Sequence, residues 1–203
     1  MRIIKVATDD GHAYYDIVSR LKGTHLRFSS LSPKEHVDLR RDLVITSKKE
    51  MAAFKGDVVA IEDLHQDPLI MEGQLLPRLL ESKRELLIGI DPGSRLGLAM
   101  FYGGREFGTL TTNSAEKLVD FVAAAAMYVS HSFLSVKIGG GEPRSSIRLA
   151  RLLGERLPKG SSIEIVDESG TSSGRRGAIG AARDQRAAAR IAYRKGVRLG
   201  DFA

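Results

Sequence analysis

Residues 86–102 read Leu-Leu-Ile-Gly-Ile-Asp-Pro-Gly-Ser-Arg-Leu-Gly-Leu-Ala-Met-Phe-Tyr, an apolar run that ends in a carboxylate, turns, and resumes as a second apolar run. No other stretch constrains the fold as much. Leu86 to Ile90 has the length and composition of a strand buried on both faces. Asp91-Pro92-Gly93 is turn chemistry. The pattern therefore predicts two adjacent strands with Asp91 held at their junction, fixed by the core yet open to solvent or to a metal ion. Taken alone, an Asp that only braces its own turn is the better explanation.

The residues before this run alternate strand and helix signals. Arg2 to Thr8, His25 to Leu31, Asp42 to Thr46 and Asp57 to Ile61 read as strands. Ala13 to Leu21, Lys48 to Phe54 and Met71 to Ser82 read as helices. Ser32-Pro33 opens a further short helix, with Ser as N-cap, Pro at the first helical position and Glu35 in the first turn. The expectation is a small α/β domain over residues 1–85 with a largely parallel sheet, its function not legible. Asp9-Asp10 after the first strand, with Glu62-Asp63 further on, resembles a phosphoacceptor receiver domain. The segment is short for that fold and lacks a partner lysine after a fifth strand, so the reading is set aside. His12, His25, His36 and His65 lack metal-ligand spacing, and Asp63 to Pro68 reads as a loop.

From Leu86 onward the order is more specific. Three strands follow closely (86–90, 97–102, 106–111), with Gly103-Gly104 as the turn between the second and third. Asn113 caps a helix that runs to Tyr128, with Glu116 as the reciprocal residue of a capping-box variant. Leu134 to Ile138 is a strand, Glu142-Pro143 opens a helix to about Arg156, Ser162 to Val166 is a fifth strand, and Asp184 to Arg198 a last helix. The fold class is α/β: a mixed five-stranded sheet with helices over residues 86–203, preceded by the small α/β domain.

That succession resembles the ribonuclease H-like superfamily over residues 86–198. Ile88-Gly-Ile-Asp-Pro-Gly-Ser-Arg95 resembles the opening of RuvC Holliday-junction resolvases. Ile165-Val-Asp-Glu-Ser-Gly-Thr171 and Asp184-Gln-Arg-Ala-Ala-Ala-Arg-Ile191 resemble elements of the YqgF-type nucleases. The resemblance implies a nuclease that hydrolyses phosphodiesters with Mg²⁺ or Mn²⁺ as cofactor. Asp91, Glu168 and Asp184 would be its catalytic and metal-binding residues, Asp167 a further metal ligand and Glu142 a fourth catalytic carboxylate. The chemistry is coherent without the family, because Mg²⁺ prefers carboxylates and water and a metal-assisted displacement needs several carboxylates converging from strand ends.

Charge supplies the partner. Residues 175–203 carry 8 Lys/Arg against 2 Asp/Glu, while the preceding residues balance, so the formal net charge of +6 lies in this last segment. Arg175 and Arg176 sit in a Gly/Ser-rich stretch. Arg183, Arg186, Arg190 and Arg194 recur at three- and four-residue intervals as a stripe away from the face of Ala188 and Ile191. A localised basic element suits a polyanion such as DNA or RNA, and a solvated helix face accounts for it equally on charge alone. A four-way-junction substrate would imply a homodimer, since such a junction presents two symmetric cuts. The rival class is a catalytically inactive module of the same fold that binds nucleic acid or protein, for which Gly139 to Gly141 and Ala181 argue. Cys is absent, which excludes a disulfide framework and thiolate metal sites. The charged opening and the short apolar run 121–129 predict a soluble, cytoplasmic chain with no membrane partner.

Overall fold

In the computed structural model the described residues are 2–31, 41–167 and 181–198. They form two compact units, Met1–Ser82 and Lys83–Ala203.

The first unit is a four-stranded parallel sheet in the order β2-β1-β3-β4, built from β1 (Ile3–Val6), β2 (Phe28–Ser30), β3 (Asp42–Thr46) and β4 (Val58–Ala60). Every residue of β3 is buried, as expected of an apolar central strand. Helix α1 (Gly11–Lys22) begins where the Asp10 carboxylate accepts hydrogen bonds from the backbone N–H of His12 and Ala13, and it buries Ile17, Arg20 and Leu21. The Arg20 guanidinium donates to the carbonyls of Ile61, Leu64 and His65 and to Asp16, tying the helix to the segment after β4. Helix α2 (Pro68–Leu79) starts three residues earlier than the apolar pattern predicts. Asp67 caps it and Pro68 occupies its first turn, so the supposed loop 63–68 contains a helix start. The helix expected over 48–54 is a single 3-10 turn, Met51–Ala53. The short helix expected from Ser32-Pro33 lies outside the described residues.

The second unit is a six-stranded mixed sheet, order β10-β9-β8-β5-β6-β7. Strands β5 (Glu85–Pro92), β6 (Leu96–Tyr102) and β7 (Arg105–Thr112) form an antiparallel meander. Strands β8 (Phe133–Gly139) and β9 (Ser162–Val166) run parallel to β5. Gly103 and Gly104 both adopt positive φ, which closes the β6–β7 turn. Helix α3 (Ala115–Tyr128) is capped by Ser114, whose hydroxyl accepts from the Lys117 N–H, and not by Asn113 as the sequence suggests. Helix α4 (Pro143–Arg156) is joined to α3 by the Arg148–Glu116 and Arg156–Asp120 ion pairs. Helix α5 (Ala181–Ala192) is shorter than predicted. The chain leaves it, passes Gly196 against Glu164, and adds β10 (Val197–Arg198) antiparallel to β9, so the sheet has six strands instead of five.

One face of the second sheet is shaped to receive α5. Leu87, Ala99 and Phe101 pack against Ala188 and Ala192. Between them two glycines let the helix backbone touch the sheet. A Cβ on Gly89 would stand 2.1 Å from the Ala188 carbonyl oxygen, and one on Gly97 2.4 Å from that of Asp184.

Candidate functional site

Alternation along β5 puts Leu87, Gly89 and Asp91 on the same face, and residues directly opposite in an antiparallel pair share a face. The register pairs Leu87 with Phe101, Gly89 with Ala99 and Asp91 with Gly97. Asp91 therefore belongs to the face that carries α5, one strand away from Gly97. On that same glycine lies Asp184, in the first turn of α5, its Cβ 3.1 Å from where a Gly97 Cβ would stand. Two carboxylate residues separated by 93 positions in sequence thus flank one glycine, both partly buried.

The other carboxylates predicted for the site follow the parallel strands that run beside β5. Asp167, exposed, comes directly after β9, and its carbonyl accepts from the Arg194 guanidinium at 3.1 Å. Glu142, exposed, precedes α4 and accepts from the Ser145 hydroxyl at 3.2 Å; its side chain caps no helix N–H. Strand ends of β5, β8 and β9 leave the sheet at one edge, where open α/β sheets carry their sites. Glu168, Arg175 and Arg176 lie outside the described residues. Among the described residues no group of three or more His, Asp or Glu is close enough to hold an ion. The observed nucleus is the pair Asp91 and Asp184, hard oxygen donors of the type Mg²⁺ prefers.

Arg183, Arg186 and Arg190 are exposed along α5. Arg194 departs from that stripe. It lies beyond the end of α5, is half-buried, spends its guanidinium on the Asp167 carbonyl, and offers its own carbonyl to the Lys137 ammonium.

The first unit has a polar centre that the sequence reading missed. At the ends of β1 and β3 the Glu50 carboxylate accepts from the hydroxyls of Thr8 (2.5 Å), Ser47 (2.6 Å) and Thr46 (3.3 Å) and from the Asp9 N–H (2.8 Å). Donors from Ser47 and Thr8 foremost hold this carboxyl down at about 2. Beside it Lys48 pairs with Asp63 at 2.5 Å, a hydrogen bond and charge that raise the Lys48 ammonium above its ordinary value. The available signal was the cluster of hydroxyl residues at strand ends, Thr8 and Thr46-Ser47, with Glu50 three residues on.

Residues 3–70 match the family model of the response regulator receiver-like domain. The receiver-like segment runs from β1 into the first turn of α2, so the reading set aside on the sequence is the one the comparison supports. The objection of short length fails, since the match is confined to residues 3–70. In the receiver-like unit the acidic pair Asp9-Asp10 does follow β1, but Asp10 is engaged as a helix cap and the carboxylate near the end of β3 is Glu50. No curated protein and no solved structure matches the chain. Nothing identifies a ribonuclease H-like domain, and that resemblance does not hold. Its strongest string, residues 88–95, is accounted for locally: a buried strand needs apolar residues, Gly89 admits α5, and β5 runs on through Asp91 and Pro92, so that the bend into β6 falls at 93–95 and not on the Asp-Pro-Gly turn expected from the sequence.

No helix among the described residues is long and apolar enough to cross a membrane.

Proposed function

We propose that the second unit is a divalent-metal-dependent endonuclease acting on structured nucleic acid, branched DNA or RNA. The observation that carries this reading is the convergence of Asp91 and Asp184 on Gly97, at the edge from which Asp167 and Glu142 also emerge. Asp91 and Asp184 would hold Mg²⁺ or Mn²⁺, with Glu168, which lies outside the described residues, proposed from the sequence alone as a third ligand. Such an ion, when bound, supplies Lewis acidity and a more acidic water at the phosphate. The exposed Arg183, Arg186 and Arg190 would neutralise backbone phosphates, giving affinity that falls steeply with salt. The receiver-like unit contributes none of these groups.

The test is cleavage of four-way-junction DNA, duplex DNA and structured RNA with Mg²⁺ or Mn²⁺, comparing the chain with Asp91→Asn and Asp184→Asn. Metal-dependent cutting lost in both variants supports the reading and selects the substrate class. Binding without cutting, unchanged in both variants, refutes it and leaves a noncatalytic binding module.

A further inference from the structure

Helix α5 stops at Ala192, while β5 and β8 beneath it continue toward their N-terminal ends. The uncovered stretch forms a cavity of about 320 Å³, at the small end of the range occupied by small-molecule sites. Its floor is Leu87 and Ser135, with Ala192 above. It lies at the opposite end of β5 from Asp91, six residues and roughly 20 Å along the strand.

Three features define what this cavity would accept. Phe133 and Tyr193 line it and remain 48% and 57% exposed, a large aromatic surface left in water. Tyr193 is held in place, its hydroxyl donating to the Gly104 carbonyl and its ring edge-on to Phe101. The charges in the cavity are unequal: Lys137 pairs with Glu164 at 3.6 Å, and Glu164 also accepts from the Gly196 N–H. Glu85, at the start of β5, has no hydrogen-bond or ion-pair partner for its carboxylate among the described residues. Burial, then the nearby Glu85 and Glu106 carboxylates, push the Tyr193 hydroxyl up.

We propose that this cavity binds a small organic monocation, a primary ammonium on a short apolar or aromatic body. The ammonium would pair with Glu85, the carboxylate of the lining that has no partner among the described residues, while the body covers Leu87 and lies against Phe133 and Tyr193. Aromatic faces attract cations, and a charge-assisted hydrogen bond to a carboxylate is stronger than a neutral one. A neutral molecule of the same shape gains the apolar contact alone, and an anion meets Glu85 with the same sign. This site is separate from the nuclease reading and stands or falls without it.

The experiment is titration of the full chain with 2-phenylethylammonium chloride, 2-phenylethanol and 3-phenylpropionate, followed by ¹H–¹⁵N shifts. Saturable shifts at residues 85, 133–137 and 193, with the ammonium binding about tenfold or more tighter than the alcohol and the carboxylate not binding, are expected. Glu85→Gln and, independently, Phe133→Leu should each weaken the ammonium about tenfold while leaving the far-ultraviolet spectrum and melting temperature unchanged. Absence of saturable shifts up to about 10 mM, equal binding of the alcohol and the ammonium, or affinity unaffected by Glu85→Gln in a folded variant would overturn the proposal.

Discussion

Replacing Gly89 with Ala tests the packing on which the candidate site depends. The added methyl would stand 2.1 Å from the Ala188 carbonyl oxygen and 2.9 Å from both the Cβ and the backbone nitrogen of Ala192, where ordinary contact begins at 3.4 Å. These neighbours include helix backbone, so no side-chain rotation relieves the clash. Helix α5 must withdraw by more than 1 Å, the difference between 2.1 and 3.4 Å. A gap of 0.5–1 Å forfeits about a quarter to a half of each dispersion contact, and here those contacts are Leu87, Ala99 and Phe101 against Ala188 and Ala192. Overpacking of a dense core costs about 1–3 kcal/mol, and a backbone clash belongs at the upper end, about 3 kcal/mol. For a unit of about 120 residues the unfolding entropy is about 0.25 kcal/mol/K, which gives a drop of about 12 °C. Native-state hydrogen exchange of the β5 and β6 amides reads this unit by itself. Gly11→Ala in α1 is the control, since its methyl meets nothing within 4 Å, and it is expected to change stability by less than about 0.5 kcal/mol. Protection of β5 and β6 unchanged in Gly89→Ala would refute the close contact between α5 and the sheet.

Four further variants concern the first unit. Glu50 has a carboxyl lowered from 4.5 to about 2, so its contribution is complete above pH 4.5 and is lost as pH falls toward 2. Glu50→Gln should cost about 2 kcal/mol at pH 7 and flatten that acid-dependent loss, as read by urea titrations across this pH range. Arg20→Leu strips a donor from three carbonyls and should cost about 3 kcal/mol. Asp16→Ala removes an ion-pair partner that is 49% exposed and should cost less than about 1 kcal/mol, a contrast visible in paired thermal melts. Asp10→Ala removes the α1 cap and should cost about 1 kcal/mol, whereas a loss near zero would deny the cap its role.

Strands were readable because apolar content and length alone specify them. Asp42 to Thr46 was delimited to the residue, and the run after Leu86 to within a few residues. Helix boundaries were less legible where capping competed with apolar spacing. Asp67-Pro68 starts α2 before its periodic face begins, and Ser114, one residue from Asn113, takes the cap. The end of α5 was missed because Arg194 and Arg198 continue a helical spacing that Gly196 and the edge of β9 interrupt. At the site, Asp91 could be singled out from its strand exit, but its neighbour across Gly97 depends on a helix about 90 residues away. No local pattern encodes such a contact; the clue is a glycine inside an otherwise apolar strand, which marks a close backbone approach. The family resemblance failed for a related reason. Short strings built of Gly, Asp and apolar residues report local geometry that many chains need.

The outer strands of the first sheet, β2 and β4, have three residues each. A foreign strand that docked on either side would find hardly more backbone than one or two hydrogen bonds, whereas cross-β stacking uses segments of about six residues. The parallel unit is therefore a poor template for strand addition. If the chain precipitates at high concentration, its aggregates should be seeded elsewhere, and β7, an eight-residue outer strand of the second sheet, is where a gatekeeping charge would be added first.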